Sequence, residues 1–336
     1  MSVLAAGTGI GSWPGTSARH AAEVVVGELR ELPYLPELPG RGVGADMVGR
    51  AGALLVDIAI DTTVRGYRVA ARPGSVTRRA ASLLEEDLDA FEEAWEKSGG
   101  AGGGRTVKVQ APGPITLAAE LELSNGHRAI TDAGAVRDLA ASLAEGMAVQ
   151  RAGLSRRIAA PVVVQFDEPL LPAALAGRLA GVTALSPVHP VDENLAIALL
   201  DECVRTVGGE VLLHSCAAGL PWKLLQRSTI SAVSVDVAAL DADGLDGLGE
   251  FVDAGRAVVL GLVPAMAPER PPAAEEIAAA AAAITDRLGF GRSVLGSRVG
   301  LSPGCGLAGA TDGWARTATA LTEQAAKAIG ADPAAT

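Results

Sequence analysis

The rhythm of this chain limits its possible folds more than any other feature. Eight times along 336 residues, a short extended apolar run gives way to a stretch of helical periodicity. The extended runs fall at residues 3–8, 33–38, 106–110, 161–166, 210–213, 230–235, 257–262 and 298–301. Helices are predicted over residues 17–31, 45–64, 77–97, 133–158, 194–207, 221–227, 245–254, 273–288 and 312–329. In the first of these, Ala21, Ala22, Val25 and Leu29 recur at the spacing of one helix face. Repeated strand–helix units argue for a parallel sheet. Eight in unbroken alternation predict an α/β fold, a (β/α)8 TIM barrel. It forms a single domain over residues 1–330, with residues 331–336 as a flexible tail. The Val-rich run 161–166 suits a strand buried on both faces. The run 33–38, broken by Pro33 and Pro36, is the poorest of the eight.

An open doubly wound sheet is the alternative. It gives no reason for chemistry at strand end after strand end. Here Ser12, Gln110, Asp167, His214, Asp236 and Cys305 stand at or just past the ends of extended runs. In a barrel that rim carries the active site.

The most informative rim segment is Val211-Leu212-Leu213-His214-Ser215-Cys216. Residues two apart in extended backbone point to the same side, so His214 and Cys216 can reach one ion together. Cys305, in Ser302-Pro303-Gly304-Cys305-Gly306, also follows a short apolar run. With Asp236 the set is one imidazole, two thiolates and one carboxylate, a tetrahedral combination that selects Zn2+. Such an electron-rich zinc suits activation of a thiol, which loses its proton on binding and remains nucleophilic. On spacing alone, an equal reading has Cys216 and Cys305 packed and His214 satisfied by backbone. Asp236 alone reads more simply as a helix cap.

Composition narrows the class. The net charge of −11 argues against nucleic acid, and 3% aromatics leave no stacking platform. The longest apolar runs, such as the mostly alanine residues 277–284, stop well short of the ~20 residues of a membrane span. No signal peptide is visible, so a cytoplasmic location without membrane contact is expected. Three cysteines do not make a disulfide framework, and Cys203, within a helical pattern, reads as packing. The glycine-rich run 99–104 lacks the Gly-Lys-Ser/Thr end of a phosphate loop and reads as a flexible connection. His20, His127 and His189 read as surface or packing residues, and Arg72, Arg78 and Arg79 as a solvated basic patch.

Six motifs occur in order: Ile10-Gly11-Ser12-Trp13-Pro14, Ala45-Asp46-Met47-Val48, Gly113-Pro114-Ile115-Thr116, Gln165-Phe166-Asp167-Glu168-Pro169, His214-Ser215-Cys216 and Pro303-Gly304-Cys305-Gly306. Together they resemble the catalytic, C-terminal barrel of cobalamin-independent methionine synthase, over roughly residues 8–310. The resemblance implies methyl transfer to the sulfur of L-homocysteine, giving methionine, with zinc on His214, Cys216, Asp236 and Cys305. It implies substrate binding by Ile10, Gly11, Ser12, Asp167 and Glu168. Asp167 would neutralise the ammonium, and backbone N–H groups near Ser12 would bind the carboxylate. Trp13, Gln110 and Met266 are candidates for the donor side; Trp13 reads equally well as core.

The chain also departs from the family pattern. The zinc-ligand glutamate is an aspartate, Asp236, which binds or leaves an exchangeable position. The glutamate implied shortly before Asp46-Met47-Val48 is missing, with Arg41 about there. The histidine implied after run 257–262, a proton donor in longer members, is replaced by Val263-Pro264-Ala265-Met266. A methyl on N5 of 5-methyltetrahydrofolate is a poor leaving group unless the nitrogen is protonated. Methylcobalamin needs no such proton. These losses favour a methylcorrinoid donor over folate, with a corrinoid carrier protein as a fitting partner. The rivals are a coenzyme M type of thiol methyltransferase, a uroporphyrinogen-decarboxylase-like barrel and a non-catalytic binder. The thiols and His214 argue against the decarboxylase, which needs basic residues for propionates.

Overall fold

The computed structural model describes residues 2–100, 102–182 and 187–330, so the expected tail at 331–336 lies outside the described residues. Strands β1 (Ala59–Thr63) and β2 (Gly66–Ala70) form an antiparallel hairpin. Strand β3 (Val107–Pro112) starts the main sheet, and the short β4 (Leu121–Glu122) joins β2 in parallel. The main sheet continues with β5 (Val162–Asp167), β6 (Val211–Ser215), β7 (Ala232–Asp236), β8 (Ala257–Val263) and β9 (Val299–Pro303). Its order is β3-β5-β6-β7-β8-β9, and every pairing is parallel. The sheet is curled, and two irregular segments lie between its outer strands. The first reaches β9, where Thr8 N donates to Leu301 O at 3.0 Å and Leu301 N to Ala6 O at 3.1 Å. The second reaches β3, where Leu35 N donates to Lys108 O at 2.9 Å and Lys108 N to Pro33 O at 2.8 Å. The two meet through Trp13 N to Glu37 O, 2.7 Å, and Glu37 N to Gly11 O, 3.0 Å.

Those segments correct the expectation of eight regular strands. Runs 3–8 and 33–38 carry only isolated bridges, Gly7 to Leu301, Tyr34 to Lys108 and Ser12 to Glu37. Pro33 and Pro36 have no N–H to donate, so a continuous ladder cannot form there. The predicted helix 45–64 is a second correction. Only Met47–Ala51 is helical, capped by Asp46, whose side chain accepts from Gly49 N at 2.9 Å. The chain then turns through Asp57 at φ 59° into β1, where Ile60, Thr62 and Thr63 are β-branched. Short helices at Pro114–Glu120, Leu171–Leu175 and Arg292–Arg298 were not anticipated.

The other helices follow their apolar stripes, as in Ser75–Lys97, Ala133–Ile158 and Glu193–Val207. They cover the outer face of the sheet, joining Val107, Val109, Val164, Leu213, Val233 and Leu301 in one core. The inner face forms a second, smaller core of Leu4, Ala6, Leu32, Val163, Leu212, Ala232, Ala257 and Val259. Because strand side chains alternate, residues two further along stand above this apolar base. They are Gln165 above Val163, His214 above Leu212, and Ser234 above Ala232. Among the described residues no helix is long and apolar enough to cross a membrane.

Candidate metal centre and its surroundings

Register brings the rim together. Asp167 of β5 pairs with His214 of β6, and His214 pairs with Ser234 of β7. The His214 ring is buried, with Nδ1 3.2 Å from Ser234 Oγ. With Nδ1–H donating to that hydroxyl, Nε2 keeps a lone pair, and it is buried without a hydrogen-bond partner. Cys216 and Cys305 meet across the mouth with their sulfurs 3.2 Å apart. Ligand atoms of His214, Cys216 and Cys305 all lie within 4.8 Å of one another. Tetrahedral zinc holds sulfurs about 3.7 Å apart, given bonds of ~2.3 Å. The orphaned imidazole nitrogen and paired sulfurs therefore fit zinc with little movement. Hydrogen bonding from Cys216, with the His214 side chain beside it, pulls the Cys305 thiol down to about 4. The same bond pushes the Cys216 thiol up.

Asp236 is placed differently. Its Oδ1 accepts from Ala238 N at 3.0 Å and so caps the 3-10 turn Val237–Ala239. It also lies against Gly304, where a Cβ would stand 2.9 Å from Oδ1. The carboxylate is beside the Cys305 loop, outside the three-ligand cluster.

Asp167 is buried and its Oδ1 accepts from Gln165 Nε2 at 2.7 Å. Burial and the nearby charge of Glu37 push it well above the usual carboxylate range, against the pull of Lys108. An ammonium at that point would offset both. Ser12 stands against the loop that follows Cys305: a Cβ on Gly306 would fall 2.1 Å from Ser12 Oγ, and Leu307 N donates to Ser12 O at 2.9 Å. Gly11 packs on Gln110, whose Cγ would lie 2.8 Å from a Cβ. Ile10 presents its carbonyl inward, to Gln165 Nε2 at 2.7 Å and Lys108 Nζ at 3.1 Å.

The remaining sequence candidates spread out. Glu168 accepts from Ile115 N at 2.9 Å, Thr116 N at 2.9 Å and Thr116 Oγ1 at 2.7 Å, at the start of helix Pro114–Glu120. A Cβ on Gly113 would fall 2.3 Å from its Oε1. This contact ties Gly113-Pro114-Ile115-Thr116 to Asp167-Glu168-Pro169. Gln110 Nε2 donates to Leu35 O at 2.7 Å and Glu37 Oε1 at 3.2 Å. Trp13 is fully buried in the core. Met266 is 59% exposed, with its sulfur 3.3 Å from where a Cβ on Gly309 would be, over the loop after Cys305.

Several buried charges escaped the sequence reading, Glu37 and Lys108 nearest the centre among them. Glu37 and Lys108 face the interior, Glu37 beside Arg50 at 3.8 Å. Arg50 and Arg41 both bind Asp87, Arg41 at 2.6 Å, so Arg41 serves a buried ion pair outside the centre. The available signal was a polar residue inside an apolar extended run, Leu35-Pro36-Glu37-Leu38 and Val107-Lys108-Val109.

The sequence matches the family described as cobalamin-independent synthase, catalytic domain, over residues 4–328. The chain belongs to that family. No curated protein matches by sequence. Among solved structures it is similar to a B12-independent methionine synthase from Shewanella sp. W3-18-1 in complex with selenomethionine. The identity is 14%, coverage 98% of each chain and the TM-score 0.59. A putative vitamin-B12 independent methionine synthase from Listeria monocytogenes gives 14%, 96% of each chain and 0.58. A methyltransferase from Methanosarcina mazei gives 15%, 96% of this chain, 93% of that chain and 0.53. The synthase-family chain thus shares its fold with enzymes of methyl transfer across nearly its whole length.

Proposed function

We propose that this protein is a zinc-dependent S-methyltransferase that moves a methyl group onto the thiol of L-homocysteine, giving L-methionine. One observation carries the reading: His214 Nε2, Cys216 and Cys305 converge with the imidazole nitrogen unpartnered, on the strand adjoining Asp167. Family membership supports the same reaction class. Zinc, when bound, is a Lewis acid that lowers the pKa of a thiol. His214, Cys216 and Cys305 would hold it, with Asp236 as an exchangeable fourth group. Asp167 would pair with the substrate ammonium and the N–H groups of the Gly11–Ser12 turn with its carboxylate. Glu168 would hold helix Pro114–Glu120 so that the Asp167 strand end stays in place. We read the curled sheet and its two bridged segments as a (β/α)8 barrel formed by residues 1–330 as one domain. We also place the protein in the cytoplasm, where free thiols such as these stay reduced.

For the donor, we favour a methylcorrinoid such as methylcobalamin, with a carrier protein as a fitting partner. The segment Val263-Pro264-Ala265-Met266 offers no acid, and His20, the histidine paired with Asp312, sits at the surface. A folate nitrogen needs a proton to leave, whereas a reduced corrinoid does not. The test supplies zinc-loaded protein and L-homocysteine with either methylcobalamin or 5-methyltetrahydrofolate. Methionine from the corrinoid is expected. Methionine from folate alone overturns the donor assignment. Methylation of coenzyme M in preference to homocysteine overturns the acceptor.

A further inference from the structure

We propose that Lys108 is a positioning residue for the amino-acid end of the substrate, holding the Ile10–Ser12 turn and the Asp167 carboxylate in one rigid unit from below. The inference rests on the reading of Asp167 and the Gly11–Ser12 turn as the grip on homocysteine. Lys108 has no exposed surface, and its strand partner is Val163 of the apolar base. Its Nζ donates to Gln165 Oε1 at 2.7 Å and to Ile10 O at 3.1 Å. It also lies 5.3 Å from the centre of the Tyr34 ring, a cation–π contact that partly replaces lost solvation.

The chemistry of a lysine fixes the rest. The lysine amino group turns an N–H donor toward Gln165, so the amide oxygen faces it. The other end of the amide, Nε2, is then forced toward Ile10 O and Asp167 Oδ1, both at 2.7 Å. A glutamine amide is otherwise free to reverse, and the reversed form would aim an oxygen at the Asp167 carboxylate. Lys108 and the Ile10 carbonyl together select the orientation that supports Asp167, and Lys108 also clamps that carbonyl preceding Gly11. A methionine would fit beside Val163 but would leave the buried carboxyls of Asp167 and Glu37 without their nearby cation. The lysine thus balances buried charge, and its two hydrogen bonds add the aiming of the two substrate contacts.

The test compares zinc-loaded wild type, Lys108→Met and Gln165→Glu. The second variant keeps a partner for Lys108 and cannot donate to Asp167, so it serves if Lys108→Met fails to fold. KM for homocysteine is expected to rise about tenfold or more in either variant, with kcat within about threefold and zinc content unchanged. A merely structural role lowers apparent kcat through a smaller active fraction and leaves KM alone; that result overturns the proposal. A crystal structure of Lys108→Met decides the point without substrate. The Gln165 amide turned from Asp167, or the Ile10–Ser12 turn displaced, supports the proposal; both in place overturn it. If the wild type does not use homocysteine at all, the functional reading fails and this structural comparison still judges Lys108.

Discussion

Asp167 and Glu168 are adjacent in sequence and face different neighbours. Asp167 looks inward to Gln165 and the thiol pair; Glu168 takes three donors at the start of helix Pro114–Glu120. Burial pushes Glu168 up to about 7, against those donors. A carboxyl whose pKa rises on folding takes up a proton on folding. Its contribution is full below the ordinary carboxylate range and is lost as pH climbs through about 7. The swing is at most about 3 kcal/mol. Glu168→Gln, with no proton to gain, should flatten the fall in stability between pH ~5 and ~8, measured by urea midpoints. An unchanged slope would show that Glu168 does not titrate there. At this scale the thiols and His214 were legible, because soft ligands at strand ends are rare enough to stand out. Glu37 and Lys108 were not legible, since the apolar runs around them hid charges that only the three-dimensional fold pairs.

The elements sort by how much of their conformation is local. Helix Ala133–Ile158 runs over the residues its periodicity predicts, capped by Asp132. Segment 45–64 was misread because its apolar spacing also suits a strand, and the strand choice depends on pairing with β2. The segment before Ser12 was read as a strand, and it is held instead by close backbone approach to β9. A Cβ on Gly300 would lie 2.3 Å from Leu4 O and 2.8 Å from Ala6 O. Gly300→Ala should therefore cost about 1–3 kcal/mol, since both clashes are with backbone. Gly27→Ala, in helix Ala18–Glu28 with nothing within 4 Å, should be neutral or slightly stabilising. Equal midpoints for the two variants in thermal denaturation would contradict the tight seat on β9.

Over the whole molecule, the centre is assembled from parts far apart in the chain: Ser12, Glu37, Lys108, Asp167, His214, Cys216 and Cys305. Strand register supplies the common level, and the apolar base of Leu212, Ala232 and Val259 supports it. The alternation of elements foretold a parallel sheet with a chemical rim. It marked run 33–38 as the poorest strand through its prolines, but did not foretell that run 3–8 would be a bridged segment, because its crowding against β9 acts between segments distant in sequence. The central claim is that His214, Cys216 and Cys305 hold zinc ready for a substrate thiol. Zinc-edge absorption of the zinc-loaded protein measures it most directly by counting sulfur ligands with and without L-homocysteine. Two sulfurs at rest, both lost in a double Cys216→Ser, Cys305→Ser variant, and a third on adding homocysteine are predicted. A resting zinc with no sulfur ligand, or a count that stays at two with homocysteine, would contradict the account.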